Sequence, residues 1–180
     1  QPPQPSGWAK FTARLHQADT LFHKTADLLT PVADFLARYW VASAFFSSGL
    51  TKTVTGSFML FGHTFDYPLS LLPTETTFTL FEYEYHVPLL PNALAAYMGT
   101  ATELLLPVFL FLGLGTRYAA CVLFVFNIIA VISYPDLNAA GLAQHQVWGL
   151  LLLITLCRGP GKLSLDHLIG WLTRRQGFAI

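Results

Sequence analysis

Long apolar runs broken by short polar gaps dominate the middle of the chain. Residues 118–135 hold no charge over 18 positions, and residues 137–157 hold none over 21 apart from the titratable His145. Each run is long enough to cross a hydrocarbon core of about 30 Å. Residues 85–116 carry a single charge, Glu103, and predict a third helix over about 91–114. A fourth, first in chain order, is predicted over about 32–54. The expected fold is therefore an all-α integral membrane protein: a bundle of four transmembrane helices with amphipathic terminal helices and a long outer loop between helices one and two.

The flanks refine this outline. Trp8, Phe11, Leu15, Ala18 and Phe22 recur at helical spacing, with Lys10, Arg14, Gln17 and Lys24 off that line. They predict a helix lying on the inner leaflet. Thr30 before Pro31 reads as an N-cap and a first-turn proline, so helix one is expected to begin there. Gly113 to Arg117 supply a tight turn between helices two and three. After Gly159-Pro160-Gly161, Ser164 can cap a short helix whose apolar side is Leu165, Leu168, Ile169 and Leu172, with Arg174 and Arg175 at lipid headgroups. The domain expectation is an amphipathic cytoplasmic arm over 1–30, a four-helix transmembrane domain over 31–158 and an amphipathic cytoplasmic tail over 159–180. The outer loop, 55–90, is rich in Phe and Tyr and is expected to fold back as a short interfacial or re-entrant helix. Its segment Phe81-Glu82-Tyr83-Glu84-Tyr85-His86 alternates like a strand, but with no partner strand foreseen it is read as a short helix or an extended lid.

Composition agrees, at 53% hydrophobic and 11% charged residues, and a nucleic-acid partner is not expected. The net charge of zero conceals a separation. Every Lys and Arg except Lys52 lies on one side of the predicted bundle, whereas Asp66, Glu75, Glu82, Glu84 and Asp136 collect on the other. Short cytoplasmic loops are enriched in basic residues, so both termini are expected in the cytoplasm and the long loop outside. No signal peptide is expected, because the first thirty residues lack an apolar core ending in a small-residue cleavage site. Cys121 and Cys157 form no C-x-x-C pair and are expected to be buried filler.

Four polar side chains within the spans carry the candidate chemistry. Glu103 lies about 18 Å into helix two, near the midplane, where an acidic group must face the bundle interior or a wet cavity. Asn127 sits at a similar depth in helix three, and Lys52 and His145 lie nearer the outer ends of helices one and four. They are expected to converge on an outward-opening pocket, with Glu103 and His145 as candidate proton-exchange groups and Lys52, Asn127, Tyr83 and Tyr85 as candidate ligand contacts. The alternative is that these polar groups hold helices together. No metal site is expected, since His63, His86, His145 and Met59 lack metal-ligand spacing.

Gly49-Leu50-Thr51-Lys52, Leu80-Phe81-Glu82-Tyr83-Glu84-Tyr85, Val87-Pro88-Leu89-Leu90-Pro91, Glu103, Gly113-Leu114-Gly115-Thr116-Arg117 and His145 together resemble the DoxX family of bacterial inner-membrane proteins, over about residues 35–167. The two central pieces resemble a proteobacterial subgroup, whose members are encoded beside multinuclear iron enzymes that modify copper-binding peptides. The resemblance implies a four-helix membrane bundle, relatives that are membrane subunits of thiosulfate:quinone oxidoreductase or partners in redox and detoxification complexes, and Lys52, Glu103 and His145 as the polar candidates. Residues 56–77 look less typical of the family. The expected function is a multi-pass inner-membrane subunit that docks or stabilises a larger redox-related complex, with membrane lipids and proteins as partners and no catalysis of its own. The alternative is a quinone- or lipid-linked oxidoreductase subunit in which Glu103 and His145 exchange protons and quinone is the cofactor.

Overall fold

In the computed structural model, which describes residues 7–175, the chain is mostly helical. The order is α1 (Gly7–Leu50), β1 (Thr53–Leu60), β2 (His63–Pro73), α2 (Glu75–Tyr83), α3 (Asn92–Leu112), α4 (Thr116–Ser133), α5 (Ala139–Arg158) and α6 (Leu165–Arg175). Three helices, α3, α4 and α5, are long and apolar enough to cross a membrane. They coincide with the predicted second, third and fourth spans. Their ends have local causes: Gly113 (φ +68°) closes α3 and the Asn138 side chain accepts from Gly141 N–H at the start of α5.

Two expectations are corrected. Thr30 and Pro31 do not start a helix; α1 runs unbroken through both as a single helix of 44 residues, about 66 Å long at 1.5 Å per residue. Proline removes the donor for the Asp27 carbonyl, four residues earlier, but Asp27 is exposed, where solvent can take that bond; the Thr30 hydroxyl adds a bond to the neighbouring Ala26 carbonyl at 2.9 Å. Nor is the chain all-α. Residues 53–73 form an antiparallel hairpin closed by a two-residue turn, Phe61-Gly62, with both φ angles positive (49° and 78°). That sign pattern matches the twist of paired strands. The strand-like alternation at Phe81 to Tyr83 instead belongs to α2, which Thr74 caps.

The C-terminal half of α1 joins the bundle and runs antiparallel to α3, with Arg38 beside Leu110 and Gly49 beside Leu104. The core is shared by α1 (Val41, Ala42, Phe45), α3 (Leu110), α4 (Ala119, Ala120, Leu123) and α5 (Leu152). Several of these residues are alanines, which let helices approach where lipid supplies no hydrophobic drive. The outward faces of α3, α4 and α5 remain apolar and exposed, as in Leu105, Val125 and Leu150. Cys121 and Cys157 are also exposed, which corrects their expected role as buried filler: helical periodicity turns both away from the small-residue seam.

One end of the bundle is tied by charge. Arg38, 1% exposed, donates to the Leu110, Phe111 and Leu163 carbonyls and so caps the C-terminus of α3. Asp166 accepts from the Gly115 and Thr116 N–H groups (2.8 and 2.9 Å) and the Thr116 hydroxyl (2.8 Å), capping the N-terminus of α4. Each charge has the sign that the helix dipole favours. Burial alone would raise the Asp166 carboxyl, but those N–H and hydroxyl bonds, with Arg38 nearby, hold it below the usual carboxylate range. Asp34 and Arg158 pair at 3.0 Å at the same end.

Candidate functional site

Lys52 lies two residues beyond the end of α1, and Glu103 faces it from the middle of α3. Nζ lies 2.6 Å from Oε2, with both side chains 8% exposed. Ser48, one turn earlier on α1, joins them: Nζ donates to its Oγ at 2.8 Å, and that hydroxyl donates to Glu103 Oε1 at 3.2 Å. The three therefore satisfy one another. Gly49 makes this approach possible, because a Cβ there would lie 3.0 Å from the Glu103 carbonyl carbon and 2.9 Å from the Leu104 side chain. Pro107, four residues on, has no N–H to offer the Glu103 carbonyl within α3.

The pair forms part of the wall of a partly open cavity of about 130 Å³. Phe81 and Tyr85 cover it from α2 and the residues after it, α3 contributes Gly99 and Thr102, and α4 contributes Phe126 and Ser133. Gly99 lets Phe81 settle on α3; a Cβ would be 3.0 Å from the edge of the ring. The lid is anchored at its base, where the Lys52 carbonyl accepts from Thr74 N–H (3.0 Å) and the Thr77 hydroxyl (2.8 Å). It is anchored at its far end by His86 N–H donating to the Ser133 carbonyl at 2.7 Å. Burial, with Glu103 adding to it, pushes the Tyr85 phenol above its ordinary pKa. The Ser133 hydroxyl, on a residue only 2% exposed, has no hydrogen-bond partner.

Asn127 and His145 form a separate pair. Asn127 Nδ2 donates to the His145 carbonyl at 3.0 Å, which leaves its Oδ1 as the acceptor 2.8 Å from His145 Nδ1. An amide oxygen cannot donate, so Nδ1 carries the proton and Nε2 is the basic nitrogen. The His145 ring packs edge-on against Trp148 at 4.8 Å. Gly149 leaves room for Asn127, whose amide nitrogen would be 3.3 Å from a Cβ there. This clasp lines an open apolar groove between α4 and α5, which shares no lining residue with the Glu103 cavity.

The six sequence-derived candidates thus divide. Lys52, Glu103 and Tyr85 meet at the cavity beneath Phe81, Asn127 and His145 meet in the groove, and Tyr83 points away, 70% exposed. The single outward-opening pocket expected of all four span residues does not form, because Asn127 spends both ends of its amide on His145. Ser133 and the capping roles of Arg38 and Asp166 were not foreseen. A serine before Tyr134-Pro135 carries no motif, whereas an arginine inside an apolar helix is a signal that partners would be found.

A family model described as DoxX matches residues 33–136, more than half of the chain. The matched segment includes Lys52, Tyr83, Tyr85, Glu103 and Asn127 and ends before α5 and His145. No curated protein and no solved structure matches the chain.

Proposed function

Because the chain belongs to the DoxX family, we propose that this membrane protein is a subunit, without catalysis of its own, that docks or stabilises a larger redox-related complex of the bacterial inner membrane. In this reading the C-terminal part of α1, from Val32 to Leu50 and about 28 Å long at 1.5 Å per residue, is the fourth span. The end bearing Arg38, Arg117 and Arg158 faces the cytoplasm, and the hairpin and α2 lie outside, in keeping with the bias of basic residues toward the cytoplasm.

The observation that carries the docking reading is how the segment around α2 divides its side chains. Phe81 and Tyr85 pack down on the bundle, while Glu82, Tyr83 and Glu84 between them are exposed. An aromatic flanked by two carboxylates on a held-down element suits a basic protein partner, since aromatic residues are enriched at interfaces. The polar pair beneath adds support, because Lys52 and Glu103 are fully occupied with each other and Ser48. A partner should co-elute when the protein is purified from native membranes. Glu82→Lys with Tyr83→Ala and Glu84→Lys should release it and leave the melting temperature of the bundle unchanged; retention of the partner by that variant would sink the docking reading.

The unpartnered Ser133 hydroxyl favours a second reading, in which the cavity receives the polar head of a quinone or lipid. About 130 Å³ is below the roughly 300–1,000 Å³ of most small-molecule sites, and His145 lies in a different cavity from Glu103, so the docking reading stands first. Binding of a quinone analogue that Tyr85→Ala abolishes, with co-purifying proteins unchanged, would reverse that order.

A further inference from the structure

The strand register sorts the hairpin into two unlike faces. Opposed residues of an antiparallel pair share a face, and neighbours along a strand alternate. Gly56 and Tyr67, Phe58 and Phe65, and Leu60 and His63 therefore form one face, and Thr55 and Pro68, Ser57 and Asp66, and Met59 and Thr64 form the other. On the first face the Phe58 ring meets Phe65 at 5.7 Å and Tyr67 at 6.0 Å. Tyr67 lies over Gly56, where a Cβ would come within 2.8 Å of the ring. Phe58, Leu60, Phe65 and Tyr67 all remain exposed, so the aromatic ladder is covered by nothing in the described chain. At the tip Phe61 holds φ +49° and is 93% exposed. A bulky residue rarely takes that backbone conformation, and here it carries an aromatic ring beyond the last strand pair.

We propose that the apolar face and the Phe61 tip of this hairpin lie in the boundary between headgroups and acyl chains of the outer leaflet. Continuity with the lipid-facing surface is the first argument. The hairpin begins beside Lys52, its root is held where the Thr53 hydroxyl donates to the Ser70 and Leu72 carbonyls, and β2 runs beside α3. The first turns of that span present Leu94, Tyr97 and Met98 exposed, so two uncovered apolar surfaces adjoin. Charge is the second argument. Neither strand contains Lys or Arg, and the single carboxylate, Asp66, is on the polar face with Ser57 and Thr64. His63, next to the tip, and the Tyr67 phenol are the titratable groups on the apolar face. An element with an aromatic face free of fixed charge and an opposite polar face is suited to the membrane interface, where aromatic rings concentrate.

Single cysteines test this in the full chain carrying Cys121→Ser and Cys157→Ser, reconstituted in vesicles of phosphatidylethanolamine and phosphatidylglycerol. Phe58→Cys (apolar face), Phe61→Cys (tip) and Ser57→Cys (polar face) would each be labelled with a nitrobenzoxadiazole fluorophore. A Phe-sized side chain favours an apolar phase by about tenfold or more. Iodide should thus quench the first two sites about tenfold less than the third, and lipids spin-labelled near the headgroup should quench those two selectively. Equal iodide quenching at all three sites would overturn the proposal. So would protection from iodide without quenching by the labelled lipid, and disulfide cross-linking of two chains through Phe58→Cys would then assign the face to a second copy.

Discussion

Gly49 packs against the peptide of Glu103 with no room for a side chain: an added Cβ would be 3.0 Å from the carbonyl carbon and 2.9 Å from Leu104. The distance between α1 and α3 is therefore set at this one crossing, three residues before Lys52.

Substitution at that crossing should be felt in the ion pair. Gly49→Ala forces one helix or the Leu104 side chain to move, and overpacking of this kind costs about 1–3 kcal/mol. Gly49→Val should cost more. Both should lower the melting temperature in detergent, whereas Gly115→Ala, which meets no atom within 4 Å, should act only through its backbone conformation.

Lys52 and Glu103 should behave as a unit. Removing one partner leaves a buried charge uncompensated, at a cost of about 3–5 kcal/mol, while replacing both with apolar residues can be neutral. Lys52→Met and Glu103→Leu should each destabilise the detergent-extracted protein, and the double variant should recover most of the loss. Additive losses in the double variant would show that the two side chains do not support each other. Glu103→Gln keeps the size and hydrogen bonding but not the charge, so it too should lower the melting temperature, by less than Glu103→Leu.

Asp166 should give the fold a dependence on acidity. Its carboxyl is held below the usual range in the folded protein. The stabilisation it supplies is thus complete above the unfolded value of about 4 and is lost as pH falls through the lower folded value. Between pH 5 and pH 2 the melting temperature should fall, and Asp166→Asn should start lower and fall less. Equal slopes for the two proteins would remove Asp166 from the account.

Orientation is open to direct labelling. With both native cysteines replaced by serine, Thr64→Cys should react with an impermeant thiol reagent in intact spheroplasts, because its place is on the polar face of the hairpin. Lys162→Cys should react only after lysis. The reverse pattern would invert the assignment of the two ends.

The membrane class and three of the helices were legible because lipid imposes a rule that can be read along a single chain: about 20 uncharged residues and internally satisfied backbone bonds. The runs around Leu123 and Leu152 obey it directly, and the run around Leu104 does so with one charge, Glu103. The start of α1 was misread because Thr30-Pro31 is a valid helix start by local chemistry, and only the assembled helix shows that Ala26 and its neighbours were already helical. The hairpin was missed for a related reason. Phe58, Phe65 and Tyr67 read as an aromatic stretch in need of burial, and the alternation becomes meaningful only when the turn at Phe61-Gly62 sets the register.

Which polar groups sit at membrane depth follows from position in sequence, and Glu103 and Asn127 stood out on that ground alone. Which of them meet is a property of helix rotation and crossing distance. A rotation of about 100° per residue turns Asn127 toward α5 and His145, and the Gly49 crossing delivers Lys52 to Glu103. Sequence by itself thus determined the solvent of this protein, its main helices and its short list of ionisable groups. Tertiary structure alone decided the partners of those groups, the cavity beneath Phe81 and Tyr85, and the two faces of the hairpin, because each depends on residues brought together from distant elements whose mutual geometry no local pattern encodes.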